Sequence, residues 1–290
     1  QAKKNHNFMN ILDVNSDDYR RWRDRKLAGF TSDMDKLMVE IKNPHKLTES
    51  EINLSSTIIN QSNLLFFELK EDNDDIKSSL MKLAKQFGMG NFEILESSEK
   101  SGLTKIEVSA ESKVKSEYVP YTNKSLNWHT DGYYNEANDP ILSWLLFCQS
   151  NSSSGGDNKF MDHEIAYILF NDHSEDIRDL TDDKAFTIPE NIHSGRKAVS
   201  SYVFKLLDKK LHMRFSMRQK NIIWRDDIRE SVELLKSIIR ENESYQIKHK
   251  LEPNQGVISN NIIHMRTSFT NTTNKNRLLY RLRSKKRVDI

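Results

Sequence analysis

The stretch KLHMRFSMR, at positions 210–218, alternates apolar and polar side chains with a period of two. Successive side chains of an extended chain point to opposite faces, so this alternation predicts a β-strand with one apolar and one polar face. Further segments around it have the length and apolar content of strands. They are residues 141–150, 201–208, 220–224, 256–269 and 277–287, with a hairpin predicted over 104–111 and 113–121.

Helices are predicted before and between these strands. Apolar residues recur at helical spacing in 17–30, 35–43, 73–88, 162–172 and 225–242. Thr48 and Glu51 form a capping-box pattern that starts another short helix, and 63–71 reads as an apolar strand. Together these patterns predict an α+β protein whose strands form a jelly-roll or barrel core with flanking helices.

The composition excludes several classes of protein. Lys+Arg 44 against Asp+Glu 42 gives a net charge of only +2, so there is no overall electrostatic attraction to nucleic acid. The single cysteine, Cys148, rules out a disulfide framework and fits a reducing compartment. The longest apolar run, 141–148, is too short to span a bilayer. We therefore expect a cytoplasmic protein without nucleic-acid or membrane partners, and the sequence leaves open whether it forms a homo-oligomer.

The segment NWHTDGYY, at 127–134, contains a candidate pair of metal ligands. His129 and Asp131 are two residues apart, so in an extended chain they project to the same side. An imidazole nitrogen with a carboxylate oxygen suits Fe(II), Mn(II) or Zn(II), and Gly132 lets the chain turn away behind them. A His-x-Asp tripeptide by itself is more often a polar surface turn.

His264 is the candidate third ligand. It stands at the end of an apolar strand pattern, where a histidine is either a core residue or a ligand. Two histidines and one carboxylate, with the second histidine much later in the chain, make up the facial triad of non-heme Fe(II) oxygenases. Such a site keeps positions open for other molecules.

RLLYRLR, at 277–283, places arginines in an apolar strand. Strand parity puts Arg277, Arg281 and Arg283 on one face. An arginine among core residues needs an anionic partner, and its planar fork suits a carboxylate. The other interpretation is a basic edge strand, since KKR follows at once. The remaining element, GGDN at 155–158, is by itself a flexible turn.

These elements in this order resemble the TauD/TfdA-like family of Fe(II)/2-oxoglutarate-dependent dioxygenases, which includes taurine dioxygenase and gamma-butyrobetaine hydroxylase. The matching stretches are WHTDG (128–132), SGGDNKFMD (154–162), NNIIHMRTSF (260–269) and RLLYR (277–281), and the resemblance runs from about residue 62 to 290. It implies a double-stranded β-helix, that is, a jelly-roll, over 62–290. Residues 1–61 are then expected to be a helical extension that packs on this core.

The resemblance also implies a role for each matching residue. His129, Asp131 and His264 would bind Fe(II) and form the catalytic centre. Arg281 would hold the distal carboxylate of 2-oxoglutarate. The remaining cofactor-binding and substrate-binding candidates are Arg277 and Asn158 for 2-oxoglutarate, and Asn127, Tyr133, Tyr134 and Arg266 for the substrate.

The activity implied is an oxidation, usually a hydroxylation, of a small polar or anionic molecule. 2-Oxoglutarate and O2 would be co-substrates, with succinate and CO2 as products. His212, Arg214 and Arg218, on the polar face of 210–218, would favour an anionic substrate if they faced the mouth of the barrel; otherwise they meet solvent.

Two other functions use the same residues. A zinc hydrolase could bind its metal through His129, Asp131 and His264, with a bound water as nucleophile. That function leaves Arg281 and the GGDN element unexplained. A non-catalytic jelly-roll binding protein with a vestigial metal site is the second alternative.

Overall fold

The computed structural model describes residues 13–70, 75–108, 119–174, 176–192, 195–218 and 220–290. The α-helices in these ranges are α1 (Asp17–Ala28), α2 (Met34–Leu37), α3 (Glu49–Ser62), α4 (Ile76–Gln86), α5 (His163–His173), α6 (Arg178–Thr181) and α7 (Arg229–Glu241). Short 3-10 turns lie at Val119–Tyr121, Asp226–Ile228 and Glu243–Tyr245.

The first strands are β1 (Met38–Ile41), β2 (Leu64–Leu69), β3 (Thr104–Glu107), β4 (Leu126–His129), β5 (Ser143–Ser150), β6 (Ser154–Gly155), β7 (Asn158–Met161), β8 (Phe186–Ile188) and β9 (Val199–Ser201). The later ones are β10 (Phe204–Leu207), β11 (Lys210–Met213), β12 (Ile223–Trp224), β13 (Ile247–His249), β14 (Gln255–Ser259), β15 (Ile263–Arg266), β16 (Phe269–Thr270) and β17 (Leu278–Ser284). The predicted mixture of helices and sheets is confirmed.

A six-stranded sheet forms one half of the core, in the order β1-β2-β14-β5-β17-β3. Its pairs are antiparallel except β1 and β2, which run parallel. The central strand β5 lies between β14 and β17, which come more than a hundred residues later in the chain. Leu145 and Phe147 in it are fully buried, whereas Leu146 on the opposite face is half-buried.

A four-stranded sheet, in the order β13-β7-β15-β4, packs against the first. Phe160 of β7 lies with its ring centroid 5.5 Å from that of Phe66 on β2 and 6.4 Å from that of Trp144 on β5. The ring of Trp144 also lies 4.8 Å from that of His264 on β15. Aromatic side chains therefore fill the space between the two sheets, and the candidate metal ligands lie at this interface.

The alternating stretch 210–218 is only partly a paired strand. Up to Met213 it pairs with β10, and beyond that it changes partner, since Thr130 N donates to Phe215 O and Met217 N donates to Trp128 O. Its polar face is largely enclosed, although Arg218 is only half-buried. His212 and Arg214 are fully buried. Arg214 compensates for its burial by donating to backbone carbonyl oxygens of the turn at 133–136.

The N-terminal segment contains a strand that the sequence analysis missed. The helix predicted over 35–43 is wrong beyond Leu37, because Met38–Ile41 forms β1 and pairs with β2. Val39 and Ile41 are β-branched, alternate with polar Glu40, and bury completely in the sheet. Tertiary pairing thus overrides a weak helical spacing. The predicted capping box at Thr48 and Glu51 is confirmed at the start of α3.

Helix α1 is held to the core by a buried ion-pair cluster. Lys26 Nζ lies 2.6 Å from Asp162 Oδ2 and 2.8 Å from Glu164 Oε2, at the start of α5. Tyr19 and Trp22 on the same helix are also buried. The first sixty residues therefore contribute both a strand and a packed helix to the structure.

Most of the second strand of the hairpin predicted at 104–121 lies outside the described residues, whereas its first strand is β3. Among the helices described, none has the length and apolar character needed to cross a membrane.

Candidate active site

His129, Asp131 and His264 lie together between the two sheets. β4 and β15 are antiparallel neighbours that place His129 directly opposite His264, and Asp131 follows β4 by two residues. Their ligand atoms all lie within 4.8 Å of one another. Asp131 Oδ1 is 3.5 Å from Nε2 of each histidine. Residues 135 positions apart in the chain (264 − 129 = 135) thus form one cluster of two nitrogens and one oxygen.

Asn261 locks the turn before β15 to the candidate metal motif. Its side-chain amide donates to the backbone oxygens of Asp131 and Ile141, and its Oδ1 accepts from Asp131 N at 2.8 Å. Asn261 itself adopts a left-handed conformation, φ 58°, which asparagine tolerates better than most residues. The sequence analysis missed this residue, although Asn-Asn between two apolar runs is a turn signal.

Gly132 is required by the turn that follows Asp131. Its φ is +67°, and a Cβ there would lie 2.5 Å from Ile141 Cγ1. Both facts disfavour any side chain at this position. The sequence interpretation, that Gly132 lets the chain turn away behind the pair, is confirmed.

Both histidines turn Nε2 towards Asp131 at the centre of the cluster. His129 Nδ1 lies 2.8 Å from Asn127 O, and His264 Nδ1 lies 3.0 Å from Ile262 O. A carbonyl oxygen only accepts, so each Nδ1 donates there and Nε2 is the nitrogen that can bind a metal. Burial, followed by the proximity of His264, lowers the pKa of His129, which also favours the neutral imidazole. This donor set fits a divalent transition metal.

Asp131 is ionised in spite of its burial. Burial alone would raise its pKa, but Arg281, the two histidines and Arg283 outweigh that effect and hold the pKa of Asp131 well below its usual value. Its second oxygen, Oδ2, lies 3.7 Å from Arg281 Nη1 and 3.9 Å from Arg283 Nη1. The two carboxylate oxygens therefore have different neighbours, the histidines on one side and the arginines on the other.

A pocket opens beside this cluster. The predicted residues that line it are Arg281, Arg277, Asn158, Arg266, His129, Asp131 and His264. Apolar side chains complete the wall, namely Ile106, Pro120, Leu126, Trp144, Leu146 and Leu279. Arg277 and Arg281, predicted to share a face of this strand, both line the pocket, and Leu279 lies between them. A mostly apolar wall with a few charged groups is typical of a small-molecule site.

Two further arginines make the pocket strongly cationic. The guanidinium groups of Arg266 and Arg277 lie 4.8 and 5.0 Å from the centroid of the Phe269 ring. Burial lowers the pKa of Arg266 to about 10, and burial together with Arg266 lowers that of Arg277 to about 9. In the described part of the chain, no acidic side chain forms an ion pair with either. Arg266 donates to the backbone oxygens of Thr122 and Lys124, and a bound anion would offset the buried charge of the two arginines.

Asn158 lies beside these arginines. It is directly opposite Arg266 where β7 pairs with β15, and it is buried. Gly156, in the same GGDN element, has φ +80°, and a Cβ there would lie 3.5 Å from Arg277 Nε. GGDN is thus part of the pocket's edge rather than a free turn.

The other predicted substrate residues do not line this pocket. Asn127 is exposed, and its carbonyl oxygen accepts from His129. Tyr133 packs in the core beside α5 and α7, and Tyr134 lies against it with ring centroids 5.2 Å apart. Tyr134 still lies close to the site, because its hydroxyl oxygen accepts from Arg283 at 3.0 Å.

Arg283 and Glu93 are neighbours of the site to which the sequence analysis gave no role. Strand parity put Arg283 on the correct face, but nothing in the sequence showed that it reaches Asp131. Glu93 forms an ion pair with Arg283, which is 190 residues later in the chain (283 − 93 = 190). Local sequence patterns do not predict a contact between residues so far apart in the chain.

A family model matches the chain over residues 24–283, and its description is "Taurine catabolism dioxygenase TauD, TfdA family". None of the curated proteins matches the chain.

Three solved structures illustrate the similarity of fold. Asparagine oxygenase, in complex with Fe(II), 2S,3S-3-hydroxyasparagine and succinate, has a TM-score of 0.57 at 11% identity, covering 86% of this chain and 93% of that one. AAD-2, in complex with Mn(II) and N-oxalylglycine, has a TM-score of 0.59 at 16% identity, covering 85% and 93%. A taurine dioxygenase from Burkholderia xenovorans has a TM-score of 0.56 at 15% identity, covering 86% and 87%.

Proposed function

The chain belongs to the taurine catabolism dioxygenase TauD, TfdA family, and from that premise we propose that it oxidises a small polar or anionic molecule. It is an Fe(II)- and 2-oxoglutarate-dependent dioxygenase, that is, an oxidoreductase. The observation that carries the proposal is the buried cluster of His129, Asp131 and His264 beside a cationic pocket. We also propose that the two facing sheets are the halves of a jelly-roll, and that residues 1–61 pack on it as an extension.

Iron is assigned to His129 Nε2, His264 Nε2 and Asp131 Oδ1. Two imidazole nitrogens and one carboxylate oxygen are a suitable donor set, and three protein ligands leave open positions. When bound there, Fe(II) supplies the activation of O2 that is coupled to decarboxylation of 2-oxoglutarate to succinate and CO2. The protein's own contribution is to bind and orient the two organic molecules in a pocket with an apolar wall.

Arg277, with Asn158 beside it, is our candidate for the distal carboxylate of 2-oxoglutarate. Three carbon–carbon bonds of about 1.5 Å separate the keto carbon from the distal carboxyl carbon, so in an extended molecule the two atoms are about 4 Å apart. The distal carboxylate would therefore lie away from the metal ligands. Arg277 is buried, faces another cation in Arg266, and has no acidic partner among the described residues. A bound carboxylate would relieve this unfavourable burial.

Arg281 is the candidate for an anionic group of the substrate. The resemblance gave it the distal carboxylate of 2-oxoglutarate, but its Nη1 lies 3.7 Å from Asp131 Oδ2, beside the metal ligands. This position favours giving the distal carboxylate of 2-oxoglutarate to Arg277, which leaves Arg281 free for the substrate. Two of the similar structures are an asparagine oxygenase and a taurine dioxygenase. Asparagine and taurine each carry an anionic group that would suit such an arginine.

The experiment that tests the function is anaerobic titration with Fe(II) and 2-oxoglutarate. We expect a weak visible charge-transfer band for the intact protein and none for His264→Ala. Absence of the band in the intact protein, together with tight Zn(II) binding, would favour the hydrolase instead.

The substrate class is then tested by measuring succinate formation with panels of small carboxylates, sulfonates, amines and amino acids. Stimulation by amines alone would contradict the proposed anionic substrate. If no condition consumes 2-oxoglutarate, a non-catalytic binding protein becomes the better explanation.

A further inference from the structure

Arg283 contacts the candidate metal ligand Asp131 from the side opposite to the histidines. It stands two residues after Arg281 on the same face of β17, and its Nη1 lies 3.9 Å from Asp131 Oδ2. Its side chain is 5% exposed, against 14% for Arg281. Arg281 lines the pocket and is available to a ligand, whereas Arg283 is enclosed by protein.

Three further contacts fix the position of Arg283. Its Nη1 donates to Tyr134 Oη, and its Nη2 forms an ion pair with Glu93. Glu93 is itself held, because its backbone nitrogen donates to Arg283 O at 2.9 Å and its Oε1 accepts from Asn135 Nδ2 at 2.8 Å. Arg283 thus connects Asp131, the turn that follows it, and the segment at residue 93.

We propose that Arg283 is a positioning residue that keeps Asp131 bound to the metal through Oδ1 alone. The inference rests on the proposed function, in which His129, Asp131 and His264 hold Fe(II). Oδ1 already lies 3.5 Å from each Nε2 atom, and Oδ2 is attracted towards Arg281 and Arg283. A carboxylate that turned to bind through both oxygens would occupy a position that 2-oxoglutarate or O2 needs.

Glu93 gives this arrangement its electrostatic balance. A lone buried guanidinium close to the site would repel a divalent cation. The Glu93 carboxylate compensates that charge, so the pair orients Asp131 while adding no net charge near the metal. Arg281 does not replace Arg283 in this role, since it is the arginine that would turn towards the anionic substrate.

The test is a double variant, Arg283→Gln with Glu93→Gln, which removes the pair without changing the net charge. The probe is Mn(II), which binds such sites and enhances the relaxation of exchangeable water protons. We expect the relaxivity per bound Mn(II) to fall by about a third, because one of three open positions of a six-coordinate ion is lost to Oδ2. The affinity for 2-oxoglutarate, measured by the charge-transfer band with Fe(II), should fall as well.

Arg287→Gln is the matched control. Arg287 is a half-buried arginine of the same C-terminal segment, but it donates to Leu211 O and forms no ion pair with Asp131. We expect this control to lose stability with unchanged relaxivity. Arg283→Lys, which retains the cation, should give an intermediate relaxivity, and it serves as the test variant if the double variant does not fold.

Two results would overturn the inference: unchanged relaxivity in the Arg283 variants, or an equal fall in Arg287→Gln. Failure of the proposed function has a different signature, because the unaltered protein would then give no charge-transfer band with Fe(II) and 2-oxoglutarate.

Discussion

At the scale of single residues, the two pocket arginines should affect different molecules. We expect Arg277→Gln to raise the KM for 2-oxoglutarate by tenfold or more, since a charge-assisted contact to a carboxylate contributes about 1.5–3 kcal/mol. Arg281→Gln should mainly raise the KM for the substrate. Steady-state kinetics with each co-substrate varied in turn measures both. If both variants mainly raised the KM for 2-oxoglutarate, the assignment implied by the family resemblance would be restored.

Two buried histidines should make the free energy of unfolding depend on pH. Burial lowers the pKa of His163 and, with Arg287, holds that of His212 well below the usual value. The unfolded chain therefore binds more protons than the folded one below about pH 6.5, so stability falls as the pH decreases. The expected slope is about 1.4 kcal/mol per pH unit for each histidine that is protonated only on unfolding.

Urea unfolding of the metal-free protein at pH 7, 6 and 5 measures this slope. His212→Gln should reduce it by about one proton, whatever the variant does to the stability at pH 7. An unchanged slope would mean that His212 is not neutral in the folded protein.

The sequence predicted the ligand cluster through the order of several motifs, because neither local signal is decisive by itself. His129 and Asp131 are two residues apart, and His264 stands in a strongly apolar strand. Arg283 shows the limit of such reasoning. Periodicity gives the face of the strand, but it does not show that Glu93 and Asp131 lie opposite that face.

At the scale of elements, helix α1 should depend on its buried lysine. Lys26→Met leaves Asp162 and Glu164 without a cation, and removing one partner of a buried ion pair costs about 3–5 kcal/mol. Chemical denaturation measures the loss. Lys36→Met, which breaks an exposed ion pair with Asp33, is the matched control and should change little. Equal effects of the two variants would contradict a special role for Lys26.

The same cluster should respond to acid. Burial would raise the pKa of Glu164, but Lys26 outweighs it and lowers that pKa to about 2. The contribution of the cluster is therefore complete above about pH 4.5 and is lost as the pH falls towards 2.

Elements with strong periodicity were predicted best. The helix predicted over 225–242 appears as α7, and the apolar strand at 63–71 appears as β2. The helix prediction over 35–43 was wrong in part because a short apolar run fits both the helical and the strand period. Only the parallel pairing with β2 decides that Met38–Ile41 is a strand. The prediction of one continuous strand over 210–218 was only partly correct, because the pairing partner of this stretch changes after Met213.

At the scale of the whole molecule, the first sixty residues should be indispensable. Deletion of residues 1–61 removes β1 from the edge of the six-stranded sheet, together with α1 and α3. We expect this truncated protein to aggregate or to lose its cooperative thermal transition, because apolar surface of β2 becomes exposed. A smaller deletion, of residues 1–31, leaves β1 in place and should have an intermediate effect. Equal melting temperatures for the 62–290 fragment and the full chain would show that the extension is dispensable.

The strand order of the main sheet has a consequence for synthesis on the ribosome. Strand β5 is complete at Ser150, but both of its neighbours, β14 and β17, emerge more than a hundred residues later. At about 5–20 residues per second, its apolar edges stay unpaired for several seconds in the nascent chain. The pocket cannot close until Ser284 has left the ribosome, so we expect the nascent protein to benefit from chaperones that shield unpaired strands.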